Sequence, residues 1–192
     1  MNYLAHIYLS GQNKELMIGN FIADFVKGNK KNNYPEGIKA GIELHRSIDD
    51  YTDHHELTSI SKKRLYPTQH KYAGPVVDVF YDHFLAKNFL LYSEIPLDIF
   101  TLNAYQVLQS NQNILPQEVQ QFLPYMIERN WLLNYSTLDG IERSLKGISR
   151  RLSFQNNLNS AKDDLVEHYS EFEKEFFQFF PQLINFVNSI TR

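Results

Sequence analysis

Apolar residues recur along the chain three and four positions apart, and strict alternation of apolar and polar positions is nearly absent. The pattern predicts helices over roughly 2–10, 13–27, 36–56, 57–66, 75–93, 96–111, 116–134, 137–152 and 156–190. Gly11, the stretch "KGNKKNNYPEG" and the stretch "YPTQHKYAGP" mark breaks between them. Pro96 and Pro116 are expected in first helical turns, where a missing N–H costs nothing. Pro124 is placed to kink or split its helix, and Pro181 to kink or divide the last one. The polar stretch 28–34 reads as a loop. With no repeat, low-complexity tract or linker, the expected architecture is all-α: a single-domain multi-helix bundle over residues 1–192.

Several polar residues interrupt the apolar faces. From Leu44 to Glu56 the chain holds three histidines and three aspartates. On a helical wheel with His45 at the origin, Asp49 falls at about 40° and Asp53 at about 80°. His45 and Asp49 therefore lie at the margin of the face carrying Ile42, Leu44, Ile48 and Tyr51, while Asp50 and His54 look outward. A His–Asp hydrogen bond at i, i+4 accounts for this pair as well as a metal does. The segment "PVVDVFYDHFLAKNFLL" is apolar on all sides, which marks a buried helix. Asp78 and Asp82 share one face of it, and buried carboxylates require a partner. His83 lies about 140° from Asp78 and points elsewhere. Asp24 is the one charge between Leu16 and Val26, with Asn20 beside it, and His6 is the one ionisable group besides tyrosine in "NYLAHIYLS". A lone histidine of that kind is commonly a hydrogen-bonded core residue.

His6, Asp24, His45, Asp49, Asp78 and Asp82 come from four helices that can pack around one centre. Imidazole and carboxylate without thiolate suit Mg²⁺, Mn²⁺, Fe or Zn²⁺. Such a centre polarises a phosphoryl oxygen and makes hydroxide available near neutral pH. The chain has no cysteine, which removes disulfides, thiolate zinc sites and cysteine nucleophiles. Apolar residues at 43% argue against disorder, and a net charge of −3 argues against a general nucleic-acid binder. The N-terminal apolar run is short, carries His6 and lacks a basic start, and no stretch approaches membrane-spanning length. A cytoplasmic protein without membrane or nucleic-acid partners is the expectation.

Five segments, "NYLAHIYLSG", "IGNFIADFVKG", "GIELHRSIDDYTDHH", "AGPVVDVFYDHFLAKNF" and "RSLKGISRRL", occur in an order that resembles the bacterial acyl carrier protein phosphodiesterases over residues 1 to about 155. The resemblance implies hydrolysis of the phosphodiester that joins 4′-phosphopantetheine to the serine of an acyl carrier protein. It implies a manganese-dependent, HD-domain-like fold related to the HD phosphohydrolases, with Mg²⁺ or Fe²⁺ as other possible metals. It also implies metal ligands among His6, Asp24, His45, Asp49, Asp78 and Asp82, and a general acid or base among Asp24, His45 and Asp53. His45 or His6 supplies the leaving group's proton if not coordinated. The chain departs from the HD pattern in having "DH" at Asp53–His54 and Asp82–His83 but no "HD" doublet.

Acyl carrier proteins are acidic. Arg143, Lys146, Arg150 and Arg151 form a local basic surface suited to such a partner, with Lys62, Lys63 and Arg64 as a second candidate. The acidic stretch 163–175 is expected away from the entrance. The phenylalanines of "EFEKEFFQFF" read as core or a dimer seam, and Trp131 likewise as core. Three other readings stay open: a prenyl-diphosphate synthase through "DDYTD", an HD-type phosphohydrolase acting on a nucleotide or other small phosphoester, and a non-enzymatic helical module that binds an acidic protein.

Overall fold

A computed structural model describes residues 1–152 and 154–191. Its α-helices are α1 (Tyr3–Leu9), α2 (Lys14–Ile22), α3 (Glu36–His54), α4 (Glu56–Gln69), α5 (Ala73–Lys87), α6 (Leu97–Ser110), α7 (Gln117–Glu128), α8 (Trp131–Asn134), α9 (Leu138–Arg151), α10 (Ala161–Glu167) and α11 (Tyr169–Ile190). Among the described residues there is no strand, as the sequence pattern predicts. None of these helices is long and apolar enough to cross a membrane.

Helix α5 is the axis, packing against α1, α4, α9 and α11. Its apolar residues from Val76 to Ala86 are buried on every side. Helix α11 supplies Phe172, Phe176, Phe179 and Phe180 to the same core, each fully enclosed. Burial of each such ring contributes roughly 1.5–3 kcal/mol, so the C-terminal phenylalanines are core. Between α4 and α11, Arg64 donates to both oxygens of Glu175 at 2.8 and 2.6 Å, and Ser61 donates to the same carboxylate. That pair compensates an acid in the interior.

Helix boundaries follow local chemistry. Asn2, Asn13 and Thr137 cap α1, α2 and α9 by accepting from backbone N–H groups with their side chains. The 116–134 segment does divide, but at Asn130 rather than Pro124. Asn130 takes a left-handed conformation (φ 43°), which asparagine tolerates. The last helix breaks at His168 and runs unbroken through Pro181. Pro67, Pro124 and Pro181 all lie inside helices on exposed positions, where water can satisfy the carbonyl each ring frees. The stretch expected as a loop is a 3₁₀ turn over Gly28–Asn33.

Helices α2 and α3 approach more closely than ordinary side chains permit. A Cβ on Gly19 would stand 2.0 Å from the Ile38 carbonyl oxygen, and one on Gly41 2.2 Å from that of Leu16. The atoms met are backbone, so the helices would have to separate. Glycine to alanine inside a helix ordinarily stabilises by about 1 kcal/mol. Here Gly41→Ala is expected to reverse the sign and cost about 1–3 kcal/mol, lowering Tm by about 2–4 °C per kcal/mol. Thermal denaturation checks it; a variant as stable as the parent would contradict the close approach.

Asp82, on α5, is fully buried and accepts from the backbone N–H groups of Leu4 (2.8 Å), Ala5 (3.2 Å) and Asn2 (3.4 Å). It therefore satisfies the N-terminal turn of α1, whose orphan donors would otherwise be buried unpaired. Burial pushes its carboxyl up to about 7, against the pull of the Met1 ammonium and those donors. Asp82→Ala should destabilise by about 2–4 kcal/mol through donors left without acceptors, with Asp82→Asn milder because one oxygen remains. Urea denaturation measures this. Unchanged stability with lost metal affinity would instead make Asp82 a ligand.

Candidate metal centre and cleft

Four elements converge on one point. His6 lies on α1, Asn20 on α2, Asp24 in the 3₁₀ turn Ala23–Phe25 into which α2 tightens, and His45 and Asp49 on α3. The two imidazoles stack, with centroids 3.9 Å apart and planes 16° from parallel. His6 Nε2 lies 3.2 Å from Asp49 Oδ1, and His45 Nε2 lies 3.0 Å from Asp49 Oδ2 and 3.2 Å from Asp24 Oδ1. Donor atoms of His6, His45 and Asp49 all fall within 4.8 Å of one another.

One residue orients both rings. Asn20 is fully buried, and its backbone oxygen accepts from His45 Nδ1 at 2.8 Å. A carbonyl can only accept, so His45 carries its proton on Nδ1. The Asn20 amide nitrogen donates to the His6 carbonyl (2.8 Å) and to Ser10 Oγ (3.0 Å). Its Oδ1 consequently faces His6 and accepts from Nδ1 at 2.7 Å. Both Nε2 atoms are thereby turned to the centre, the arrangement that outer hydrogen bonds impose on metal-binding histidines.

The residues present fit a divalent cation. Burial and the neighbouring His45 lower the His6 pKa, so that ring is neutral. Its Nε2 lone pair then faces the Met1 carbonyl at 3.1 Å and the Asp49 carboxylate, acceptor against acceptor. A cation relieves that conflict. Burial pulls the His45 pKa down, but hydrogen bonds to Asp24 and Asp49 outweigh it and hold it up to about 9. A proton on His45 is therefore what a metal ion displaces. Burial opposes ionisation of Asp49, yet both imidazoles and the Met1 ammonium hold its carboxyl well below the usual range. The hydrogen bond from His45 lowers Asp24 as well.

The other predicted site residues lie around this cluster or outside it. Asp24 is not buried as its apolar surroundings suggest; its side chain is 68% exposed and faces the opening. Asp78 binds the Met1 ammonium at 2.9 Å, and that ammonium also lies 3.7 Å from Asp49. The cation that Asp78 needs is thus an amine of the main chain. Asp82 is spent on α1. Asp53 is separate: Lys62 donates to its carboxylate at 2.8 Å and to its carbonyl at 3.1 Å. Asp50 and His54 are both outward and exposed, 3.3 Å from one another. His83 donates from Nδ1 to the Tyr135 carbonyl at 2.7 Å and pairs with the Tyr169 hydroxyl at 2.8 Å, away from the centre.

A cleft of about 700 Å³ opens beside the cluster, lined by Asn2, Tyr3 and Asp24, by Phe122, Trp131 and Tyr135, and by α9. Arg143, Lys146, Arg150 and Arg151 all line it, as does Arg129, which sequence reasoning passed over. Lys146 is paired with Glu142, which Lys162 also holds. Among the described residues the arginine–carboxylate pairs are Arg46–Glu43 and Arg64–Glu175. The four cleft arginines therefore have no carboxylate partner among the described residues. The second basic candidate dissolves, since Lys62 and Arg64 are occupied by Asp53 and Glu175. No residue of the acidic stretch 163–175 lines the cleft.

A family model described as acyl carrier protein phosphodiesterase matches residues 1–183. Proteins of that name are similar along nearly their whole length. The one from Photorhabdus laumondii is 32% identical over 96% of this chain and 93% of its own. One from Klebsiella pneumoniae is 33% identical over 98% of both, and one from Escherichia coli O6:H1 32% over 96% of both. No solved structure gives a significant match, so kinship with HD proteins rests on the sequence resemblance alone. With ordered similarity along nearly the whole chain and a two-histidine, carboxylate-bearing centre beside a basic cleft, the chain belongs to the acyl carrier protein phosphodiesterase family.

Proposed function

We propose that the protein hydrolyses the phosphodiester between 4′-phosphopantetheine and the serine of a holo acyl carrier protein, giving the apo carrier protein and free 4′-phosphopantetheine. The observation that supports this most is the convergence of two imidazole Nε2 atoms and the Asp49 carboxylate beside an arginine-lined cleft. The names of its relatives supply the substrate.

His6, His45 and Asp49 would hold a divalent metal, Mn²⁺ by family resemblance, with Asp24 next to them. When bound, the ion polarises the phosphoryl oxygens and lowers the pKa of a nearby water. The rest is done by the chain. Asn20 fixes both rings so that no reorientation is needed on binding. With both Nε2 atoms committed, neither histidine serves as a proton donor. Asp24, ionised and facing the cleft, is placed to take a proton from the attacking water and to pass it to the serine oxygen as that oxygen's bond to phosphorus breaks. Asp78 and Asp82 stabilise the surrounding backbone, and Asp53 takes no part. The outer arginines of α9, Arg143 and Arg150, meet the acidic carrier protein and act mainly on association rate and orientation.

Incubation with holo carrier protein and Mn²⁺, followed by intact mass, should show loss of the phosphopantetheine mass, and a chelator should abolish it. An unchanged mass with Mn²⁺, Mg²⁺ and Fe²⁺ alike would overturn the assignment. Cleavage of small phosphoesters only would favour the nucleotide-type alternative. A second expectation concerns Asn20. Replacing it with alanine should weaken Mn²⁺ affinity by about 10–100-fold, the usual loss when a ligand's outer partner is removed. Metal titration checks this, and affinity equal to the parent's would show that the amide is dispensable.

A further inference from the structure

We propose that the cleft receives the non-protein half of the diester, with its phosphate against Tyr3 and Arg151 and its slender arm along Phe122 and Trp131. This rests on the hydrolytic reading above and says how the substrate lies.

Size decides what can enter. A volume of about 700 Å³ is that of a pocket enclosing a ligand of drug size. A folded carrier protein is far too large to enter it, so only an extended appendage fits, with Asp24 of the adjoining cluster in its wall. Charge decides which part goes where. Among the described residues Asp24 is the sole carboxylate lining the cleft, and the cleft's four arginines have no carboxylate partner. A cleft of that polarity selects an anion.

Tyr3 ties this charge to the metal centre. It stands one turn before His6 on the same helix. Its ring packs on Phe21 and Phe122, with centroids 5.2 and 6.2 Å apart, and it lines the cleft together with Arg151. The guanidinium thus shares the cleft wall with the helix that carries His6. A planar guanidinium beside a phenol presents donors to two phosphoryl oxygens together, which an ammonium group cannot match. Beyond this point the lining turns aromatic. Phe122 and Trp131 lie parallel, 2° between planes and 6.1 Å between centroids, and both are only partly buried. An apolar strip left open inside a basic cleft suits the methyl-bearing, methylene-rich arm of pantetheine.

Calorimetric titration of the Mn²⁺-loaded protein with inorganic phosphate, pantetheine and 4′-phosphopantetheine tests the assignment. The phosphorylated arm should bind at least tenfold more tightly than either fragment. Arg151→Ala should weaken phosphate and 4′-phosphopantetheine at least tenfold, with Arg151→Lys recovering only part. Trp131→Ala should close most of the gap between 4′-phosphopantetheine and phosphate, and Trp131→Leu, which keeps bulk in case alanine unfolds the chain, should close some of it. Equal affinities for phosphate and 4′-phosphopantetheine in the parent, or an unchanged gap in both Trp131 variants, would overturn the proposal. Mass analysis of holo carrier protein run alongside separates the two ideas. Turnover with no preference for the phosphorylated arm removes the binding mode and leaves the hydrolysis. Tight binding of that arm without turnover does the opposite.

Discussion

Two helices that touch backbone to backbone set the position of everything else. At Gly19 and Gly41 neither α2 nor α3 carries a side chain, and the Cα of one glycine abuts where the other's Cβ would stand. Asn20 follows Gly19 directly, so the same contact brings its main-chain oxygen within reach of His45, one turn beyond Gly41 on α3. The Asn20 side chain turns the other way, toward α1 and His6. A wider interhelical gap of the ordinary 8–10 Å class would leave the amide too far from one ring or the other.

Around that contact the charges are arranged by element. Asp49 faces both imidazoles, Asp24 adds a second carboxylate on the solvent side, and Asp78 and Asp82 serve the N-terminal segment from α5. Carboxylates of similar sequence context thus do different work. Asp82 holds the turn from which α1 starts, and α1 carries both His6 and Tyr3. The candidate metal centre and the basic cleft therefore share one short helix as support.

Helix content and core were legible because apolar spacing survives in a single sequence, and α5 and α11 show it plainly. Boundaries were less so. Three prolines sit inside helices because their positions face water, which no periodicity reveals. The histidine–aspartate pair on α3 could be read from a wheel, and so could the outward turn of Asp50 and His54. The role of Asp82 could not, since its partners are backbone N–H groups nearly eighty residues away. Asp78 failed in the same manner: its cation is a main-chain amine, invisible in a count of side chains. Asn20 left a trace that went underused, an amide inside an apolar run. The lining of the cleft by Phe122, Arg129 and Trp131 depends on the left-handed turn at Asn130, a conformation that spacing does not encode.

Gly147 sits on the cleft side of α9, and a carbon added there would meet nothing within 4 Å. Unlike Gly19 and Gly41, it is not required by any neighbour. The width of the cleft is therefore adjustable at this site without cost to the interior. A larger side chain at this position would narrow the cleft and leave the cluster of His6, His45 and Asp49 untouched.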